Sequence, residues 1–272
     1  MRLNKTALGL ALGLMASTAL VSAASAQETT NTTRLHPKDV AFSFEGPFGT
    51  YDRGALQRGF QVYKEVCAAC HSAQHLAFHN LMEAGGPEFS EAQARALAAS
   101  VKVPAGPDDK GNTTDEKGNP LMRPATLADH FPSPFPNEEA ARANNGGALP
   151  PDLSMIVKAR EGGAEYVYSI LTGFHMTPPK GFKVIDGKYY NPYFEGWNIS
   201  MPPPLANNSV TYSDGTKATI DQEAHDVVTF LAWASEPKME ERKRVGMGVL
   251  VFLIALAGML FAAYRRVWKD QH

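Results

Sequence analysis

The sequence predicts a mainly α-helical domain with long irregular insertions, followed by one C-terminal transmembrane helix. Three observations predict this class. Apolar residues recur at helical spacing in several short segments, most clearly in 54–66 and 220–233. Stretches rich in proline, glycine, aspartate and asparagine separate these segments, notably 104–137 and 181–213. Near the C-terminus, 245–264 is a run of twenty uncharged, mostly apolar residues, which is typical of a membrane span.

The N-terminal segment 1–26 is typical of a secretory signal peptide. Arg2 and Lys5 form a short basic region, an uncharged and largely apolar stretch follows, and Ala24-Ser25-Ala26 matches the small-residue cleavage pattern. A retained anchor helix is the less favoured interpretation, because the apolar run is short and ends in small residues. We therefore predict an exported chain whose first mature residue is Gln27.

The helix predicted at 54–66 leads directly into Cys67-Ala68-Ala69-Cys70-His71, which reads C-x-x-C-H, the attachment signature of a c-type haem. The two thiols can each add to a porphyrin vinyl group, and His71 then reaches the iron as an axial ligand. These are the only cysteines of the chain, so no disulfide competes for them. A redox dithiol is the alternative, but its usual βαβ context is not visible. The motif predicts one covalent haem c.

Elements after the motif follow from local signals. Ser90 followed by Gln93 resembles a capping box that opens a helix through Ala99. The segment 104–137 is a long irregular excursion, and such loops in compact domains are usually functional or inserted.

The second half of the domain predicts shorter elements. Two short helices are expected at 152–160 and 163–172, and a small hairpin near 183–190. Thr219 with Gln222 resembles a second capping box, which opens the last helix of the domain.

The uncharged run near the C-terminus is long enough to cross a bilayer, because twenty helical residues span ~30 Å. Basic residues flank it on both sides, so flanking charge does not settle its orientation. The signal peptide settles the orientation, because it places the mature domain outside the cytoplasm. We therefore predict a periplasmic domain at 27–241, a transmembrane anchor at 242–266 and a cytoplasmic tail at 267–272. The expected location is the bacterial cytoplasmic (inner) membrane. A buried helix of a soluble fold is the alternative, and it would need cover on every face.

Charge is distributed unevenly along the chain. The whole sequence carries a formal charge of −2, yet 27–241 holds 18 Lys and Arg against 27 Asp and Glu, a net −9. An acidic domain beside a redox centre would attract a basic soluble partner and speed their encounter at low salt. An acidic surface that serves only solubility is the alternative.

His71 leaves one axial position of the iron to be filled. Met201 is the preferred ligand because Pro202, Pro203 and Pro204 follow it, and prolines fix the backbone of a loop without a helix behind it. Core packing is the ordinary role of methionine and remains the alternative. Other methionines and histidines are also candidates: Met82, Met122, Met155, Met176, Met239, His75, His79, His130, His175 and His225. Methionine opposite histidine raises the haem potential and favours electron transfer over oxygen chemistry.

A series of blocks around these residues closely resembles the cytochrome c1 family, the haem-bearing subunits of the ubiquinol–cytochrome c oxidoreductase (cytochrome bc1) complex. The blocks are RGFQVYKEV at 58–66 leading into CAACHS, MRP at 122–124, FPSPFPN at 131–137, EAARANNG at 139–146, GALPPDLS at 147–154, YNPYF at 190–194, MPPP at 201–204 and FLAWASEP at 230–237. C-x-x-C-H alone is common to all c-type cytochromes, whereas this ordered series, within 35–268, is not.

The resemblance implies a set of site residues. It implies thioether bonds to Cys67 and Cys70 and axial ligation by His71 and Met201. It also implies a haem-cradling loop at 144–151, with Asn144, Asn145 and Pro151 as its haem-binding residues. Arg160 and Tyr166 match positions near the haem propionates, and a guanidinium suits a propionate. Ordinary surface and core packing is the alternative for that last pair.

The resemblance also implies partners and a mechanism. The haem would receive electrons from the Rieske iron–sulfur protein and pass them to a cytochrome c, beside cytochrome b, in a complex that the family makes dimeric. The chain would be an electron-transfer subunit rather than an enzyme by itself. Alternatives are another membrane-anchored monohaem cytochrome c, such as an oxidase subunit or shuttle, or a gas-binding haem sensor. Many relatives have arginine where this chain has His79, and some carry a disulfide for which this chain has no cysteine.

Overall fold

The computed structural model describes residues 33–270, so the predicted signal peptide and the last two residues lie outside the described part. Its helices are α1 Arg53–Glu65, α2 Glu91–Ala99, α3 Glu138–Asn144, α4 Gly163–Gly173, α5 Ile220–Ser235 and α6 Met239–Val267. Its strands are β1 Lys102–Pro104, β2 Met122–Pro124, β3 Tyr189–Tyr190 and β4 Asn198–Ile199, which form two antiparallel pairs, β1 with β2 and β3 with β4. The prediction of a mainly α-helical chain is confirmed.

Helices α1 and α5 form the centre of the hydrophobic core. Leu56 and Val62 of α1 and Phe230 of α5 are fully buried. The two helices touch backbone to backbone at Gly59, where an added Cβ would lie 2.0 Å from the Asp226 carbonyl oxygen. This contact is possible only because Gly59 has no side chain, and it sets the separation of the two helices.

Gly59→Ala is therefore expected to destabilise the domain, by about 1–3 kcal/mol, since the added methyl group must push α1 away from α5. The measurement is denaturant unfolding followed by far-UV circular dichroism. Gly54→Ala is the matched control on the same helix. An added Cβ at Gly54 would meet only flexible side-chain ends at 3.2 Å, so this change should be tolerated. Equal effects of the two substitutions would contradict a tight helix contact at Gly59.

A bidentate ion pair also joins α1 and α5. Arg58 donates from Nε and Nη2 to the two carboxylate oxygens of Asp226, at 2.9 and 3.0 Å. The Asp226 side chain is fully buried, whereas Arg58 is 20% exposed and reaches Asp214 at the surface. Because α1 runs directly into the C-x-x-C-H motif, this pair and the helix contact together position the motif on the core.

Of the two predicted capping boxes, one is complete in the structure and the other is half formed. Ser90 and Gln93 form the complete reciprocal box at the start of α2. At the start of α5, Thr219 accepts from the Gln222 N–H at 3.2 Å, but the Gln222 side chain instead donates to Asp226 at 3.0 Å. The second box is therefore half formed, because a buried acceptor one turn along the helix takes the glutamine amide.

Two expectations about shorter elements were wrong, and one helix was not predicted. The segment 152–160 consists of turns rather than a helix, since the Asp152 carboxylate accepts the Ser154 N–H and bends the chain there. The helix α3 at Glu138–Asn144 was not predicted, although Asn137 caps it by accepting from Ala140 N. No hairpin forms within 183–190. Asp186 and Gly187 do turn the chain, but β3 pairs with the later strand β4.

In the long excursion at 104–137, the β1–β2 pair closes the base of the stretch 105–121. Within it, Asp108 and Asp115 each accept backbone N–H groups from the residues two and four positions later, which forms two successive turns of the same kind. The helix α6 runs for 29 residues, about 44 Å, and contains the chain's long apolar window. It is the one helix in 33–270 that is long and apolar enough to cross a membrane, and none of that window is buried against the domain.

Candidate haem site

The C-x-x-C-H motif folds into one tight turn at the end of α1. Residues Cys67–Ala69 form a 3₁₀ turn, and the Cys67 carbonyl accepts from Cys70 N at 3.1 Å and from His71 N at 2.9 Å. Both thiols and the imidazole are thereby held on a single turn. This is the arrangement that two thioether bonds and one axial ligand of the same porphyrin require.

The thiol chemistry argues against a redox dithiol. Burial raises the pKa of the Cys67 thiol to about 12, with a further contribution from the neighbouring Cys70. Reactive dithiols instead need a thiolate stabilised at neutral pH by a lowered pKa. Partial burial of Cys67 against the core suits a thioether.

His71 is oriented by a single backbone contact. Its Nδ1 lies 2.8 Å from the carbonyl oxygen of Pro151. A carbonyl only accepts, so Nδ1 carries the proton and donates, which leaves the lone pair of Nε2 for a metal. Burial lowers the pKa of His71, partly opposed by the Pro151 contact, so the imidazole stays neutral as a ligand must. Pro151, assigned to the site by resemblance, therefore lies against the histidine that is predicted to be an axial ligand.

Asp152 fixes the segment that carries Pro151. Its carboxylate accepts from Ser72 Oγ at 2.7 Å, from Gln74 N at 2.9 Å and from Ser154 N at 2.8 Å. The backbone adds Leu153 N to Ser72 O at 2.8 Å. These bonds join 151–154 to the residues just after the motif. The sequence reasoning missed this role of Asp152, although an aspartate directly after two prolines is a turn signal that could have shown it.

Asp152→Asn is expected to lower the free energy of unfolding at pH 7 by about 1.5–3 kcal/mol, the usual value of hydrogen bonds to a charged group. Burial acts to raise the pKa of Asp152, but the bonds from Gln74, Ser154 and Ser72 outweigh it and lower the pKa below the ordinary 3.8. The charged form therefore stabilises the fold above pH ~4, and that stability is lost as the pH falls through the lowered pKa.

The measurement for Asp152→Asn is urea unfolding from neutral pH down to about pH 3. The deficit of the variant should shrink in the acid range, as wild-type Asp152 becomes protonated. Asp109→Asn, at an exposed aspartate of the long excursion, is the control and should leave stability unchanged. A deficit that stays constant across the pH range would contradict a role for the carboxylate charge.

A cavity of about 290 Å³ opens beside Cys70, between the Pro151–Asp152 segment and 133–138, and α3 contributes Ala141 to its lining. Asn144 and Asn145 do not turn their amides toward it. Their Nδ2 groups donate back to the carbonyls of Ala140 and Ala141, at 2.8 and 2.7 Å. In the structure these two side chains end α3 and set the path of the loop toward Pro151.

Met201 lies in a second apolar cluster. It is partly buried and packs against the buried side chains of Tyr166, Ile170, Tyr193 and Ile199. The strand β4 delivers it, since Ile199 pairs with Tyr189. The structure therefore brings two of the predicted site residues, Met201 and Tyr166, into one cluster.

Asn191 ties this second cluster to α4 and was also missed as a positioning residue. It is fully buried, donates to the Ile170 carbonyl at 2.8 Å and accepts from Tyr193 N at 3.1 Å. Gly173 leaves the necessary space, because an added Cβ would lie 2.7 Å from the Tyr193 ring. The YNPYF block thus has a local structural reason.

Arg160 and His79 both lie at the surface. Arg160 donates to the adjacent Ala159 carbonyl at 3.0 Å, and it makes no ion pair within 33–270. His79 is within 3.8 Å of Glu83 and 3.3 Å of the Leu127 carbonyl. Among the described residues, no group of three or more His, Cys, Asp or Glu is placed to hold a further metal ion.

Comparison with known proteins now adds to this geometry. The model of the Cytochrome C1 family matches residues 42–271. The chain belongs to the cytochrome c1 family. The predicted membership is confirmed over most of the chain.

Curated relatives agree with the family match. The chain is 46% identical to "Cytochrome b/c1" of Bradyrhizobium diazoefficiens, over 99% of this chain and 41% of that protein. It is 47% identical to cytochrome c1 of Rhodospirillum rubrum, over 87% of this chain and 88% of the relative. It is also 47% identical to the mitochondrial cytochrome c1 haem protein of Saccharomyces cerevisiae, over 82% of this chain and 69% of the relative. The chain thus spans less than half of the first relative and most of the other two.

Membership of the family decides the cofactor and the kind of function. Cytochrome c1 proteins carry a covalently bound c-type haem and transfer electrons, so the predicted haem c is confirmed. The donor set found here fits that group, because two thiols and a neutral, oriented imidazole lie on one turn. Neither another membrane-anchored monohaem cytochrome c, such as an oxidase subunit or shuttle, nor a gas-binding haem sensor is favoured.

Proposed function

We propose that this chain is the haem electron-transfer subunit of a cytochrome bc1 complex, with the haem joined to Cys67 and Cys70 and its iron held by His71 and Met201. The observation that carries the proposal is the contact between His71 Nδ1 and Pro151 O at 2.8 Å. It fixes the tautomer, so that Nε2 keeps its lone pair for the iron. The haem supplies a one-electron carrier when bound, because its iron cycles between two oxidation states.

The chain's own residues would bind the porphyrin, orient the iron ligands and shield the haem from water. Cys67 and Cys70 would fix the porphyrin edge, and the proline-rich loop after Met201 would hold the thioether without a helix behind it. Nothing in this role requires a side chain to act as an acid, base or nucleophile. The buried side chains around Met201, Tyr166 among them, would lower the local dielectric around the sixth ligand.

Second contacts of the haem are also proposed. Arg160 has most of its guanidinium donors unused within the described chain, and a propionate would suit them. Tyr166 packs beside Met201, with Arg34 over its ring at 5.2 Å. Asn144 and Asn145 act through the shape of the loop that leads to Pro151, given the bonds that their amides make to α3.

The proposed partners are cytochrome b, a Rieske iron–sulfur protein as electron donor, and a cytochrome c as acceptor, in a dimeric complex. The haem domain would lie on the periplasmic side of the inner membrane, anchored by α6. Support comes from the family, from the unburied apolar surface of α6 and from the signal-peptide pattern of the first 26 residues.

Purification of the membrane complex through a tag on this chain tests the proposal. Cytochrome b and a Rieske protein should co-purify, and carbon monoxide added to the reduced complex should leave its Soret band unshifted, because Met201 fills the sixth position. A chain that purifies alone from intact membranes would refute membership of the complex. A rapid, complete Soret shift in the native protein would refute ligation by Met201.

Reduction of a basic soluble cytochrome c by this chain is expected to slow as salt rises, by about tenfold or more between low and physiological salt, because electrostatic steering is screened. The physical basis is the net −9 charge of 27–241. Stopped-flow rates over a range of salt concentrations measure it. A small neutral redox mediator is the control, and its rate should not change. A flat dependence for the basic partner would favour an acidic surface that serves only solubility.

A further inference from the structure

A second groove shares no lining residue with the cavity beside Cys70 and lies between loop 47–50 and the first turns of α6. Its volume is about 510 Å³, and its lining includes Phe48, Met247 and Val251, with Lys243 and Arg244 beside them. Phe48 is 79% exposed, an unusual state for a phenylalanine in water. The proposed haem site uses none of these residues, and α6 enters the proposed function only as the membrane anchor.

The loop is fixed firmly to the helix. Lys243 Nζ donates to the carbonyls of Phe44 and Gly49, at 2.7 and 3.0 Å. Tyr51 N donates to Glu240 at 2.8 Å. Gly49 permits the tight path, because an added Cβ would lie 1.9 Å from the Glu45 carbonyl oxygen. The outward position of Phe48 is therefore built into the fold.

The groove spans the level at which α6 would enter the membrane. Val245 begins the uncharged run of α6. At 1.5 Å per residue, Lys243 lies ~3 Å before it and Val251 ~9 Å beyond it along the helix axis. This level is the boundary between headgroups and hydrocarbon, where aromatic side chains are enriched and where interfacial segments insert by roughly 5–10 Å.

Arg244 differs from the other basic residues near the start of α6. Those basic residues have partners: Lys238 with Glu83, Arg242 with Glu236, and Lys243 with two carbonyls. Arg244 is exposed and has no hydrogen bond or ion pair within the described part of the chain. A guanidinium fork binds phosphate in two-point geometry.

We propose that this groove binds one anionic phospholipid, with its phosphate on Arg244 and an acyl chain along Phe48, Met247 and Val251. The bound lipid would fix the haem domain at a set height on the membrane surface. A transmembrane helix of another subunit would also suit the apolar lining, but it would leave Arg244 without a counter-charge beside hydrocarbon. The inference uses the proposed membrane-spanning role of α6 and is independent of the haem ligands.

Spin labels test the placement. The variant Phe48→Cys carries a nitroxide in the purified complex, reconstituted in vesicles of phosphatidylcholine and phosphatidylglycerol. Ile254→Cys, in the middle of α6, and Ile185→Cys, an exposed apolar position of the haem domain, are the controls. Dissolved oxygen should relax the labels at 48 and 254 more than an aqueous nickel chelate does. The label at 185 should show the opposite order.

Each other result of the label experiment has a separate meaning. A nickel-accessible label at 48 beside an oxygen-accessible label at 254 overturns the lipid groove while α6 still spans. A nickel-accessible label at 254 overturns the membrane-spanning role itself. A label at 48 that is shielded from both relaxants also overturns the proposal, in favour of a subunit helix in the groove.

Native mass spectrometry of the purified complex tests the headgroup. Arg244→Gln should reduce retained phosphatidylglycerol roughly tenfold or more, as loss of a charge-assisted hydrogen bond predicts, with phosphatidylcholine unaffected. Lys217→Gln removes one exposed positive charge away from the groove and is the matched control. Equal phosphatidylglycerol retention by wild type and Arg244→Gln would overturn the phosphate site.

Discussion

Met201→Leu should lower the midpoint potential of the haem by a substantial part of the ~0.8 V range that axial ligands control. Leucine has nearly the same volume as methionine, so packing against Tyr166 and Ile199 survives. What is lost is the thioether, and with it the stabilisation of the reduced iron that a methionine opposite histidine provides. Reduction of cytochrome c by the complex should stop as a consequence.

The measurement for Met201→Leu is a potentiometric titration of the haem absorbance in the purified complex. Met176→Leu is the matched control, since Met176 is 41% exposed in the loop after α4. The control should titrate like wild type. An unchanged potential in Met201→Leu, or an equal change in the control, would remove Met201 from the ligand set and reopen the other methionine and histidine candidates.

Arg58→Leu should cost about 3–5 kcal/mol of stability, because it leaves the fully buried Asp226 carboxylate without its counter-charge. The loss exceeds that of an ordinary surface ion pair, since Asp226 cannot be rehydrated without opening the α1–α5 contact. Attachment of the haem should also fall, because α1 carries the motif at its end.

Urea unfolding, followed both by haem absorbance and by far-UV circular dichroism, measures the effect of Arg58→Leu. Arg95→Leu removes an exposed pair with Glu91, whose side chains are 62% and 64% exposed, and should cost only about 0.3–0.5 kcal/mol. The double variant Arg58→Leu, Asp226→Leu should recover much of the loss, since no unpaired charge then remains. Equal losses in the single and double variants would show that the pair acts through packing alone.

Local signals in the sequence predicted the helices well where capping and apolar spacing agreed. Helices α1, α2, α4 and α5 begin and end close to their predicted limits. Predictions were wrong where a distant side chain took over a local bond. Asp152 accepts from Ser72 and Gln74 and prevents a helix at 152–160. The Asn198 amide oxygen accepts from Ile185 N, and β3 pairs with β4 instead of forming a hairpin within 183–190.

The sequence by itself determined that this chain holds a covalent haem, that one C-terminal segment is apolar enough to span a membrane, and that the chain is a cytochrome c1-family protein. The haem follows from two cysteines and a histidine within five residues, the span from twenty residues without charge, and the family from the ordered series of blocks within 35–268. Such properties need no knowledge of which distant segments meet.

Only the tertiary structure decided which atoms orient the site and which surfaces are left open. Pro151 lies against His71 across 80 positions of sequence, Asp226 meets Arg58 across 168, and Lys243 closes the loop at Phe44 across 199. Each contact forms because burial of the α1–α5 core brings remote segments to hydrogen-bonding distance. No periodicity or motif along the chain records that proximity.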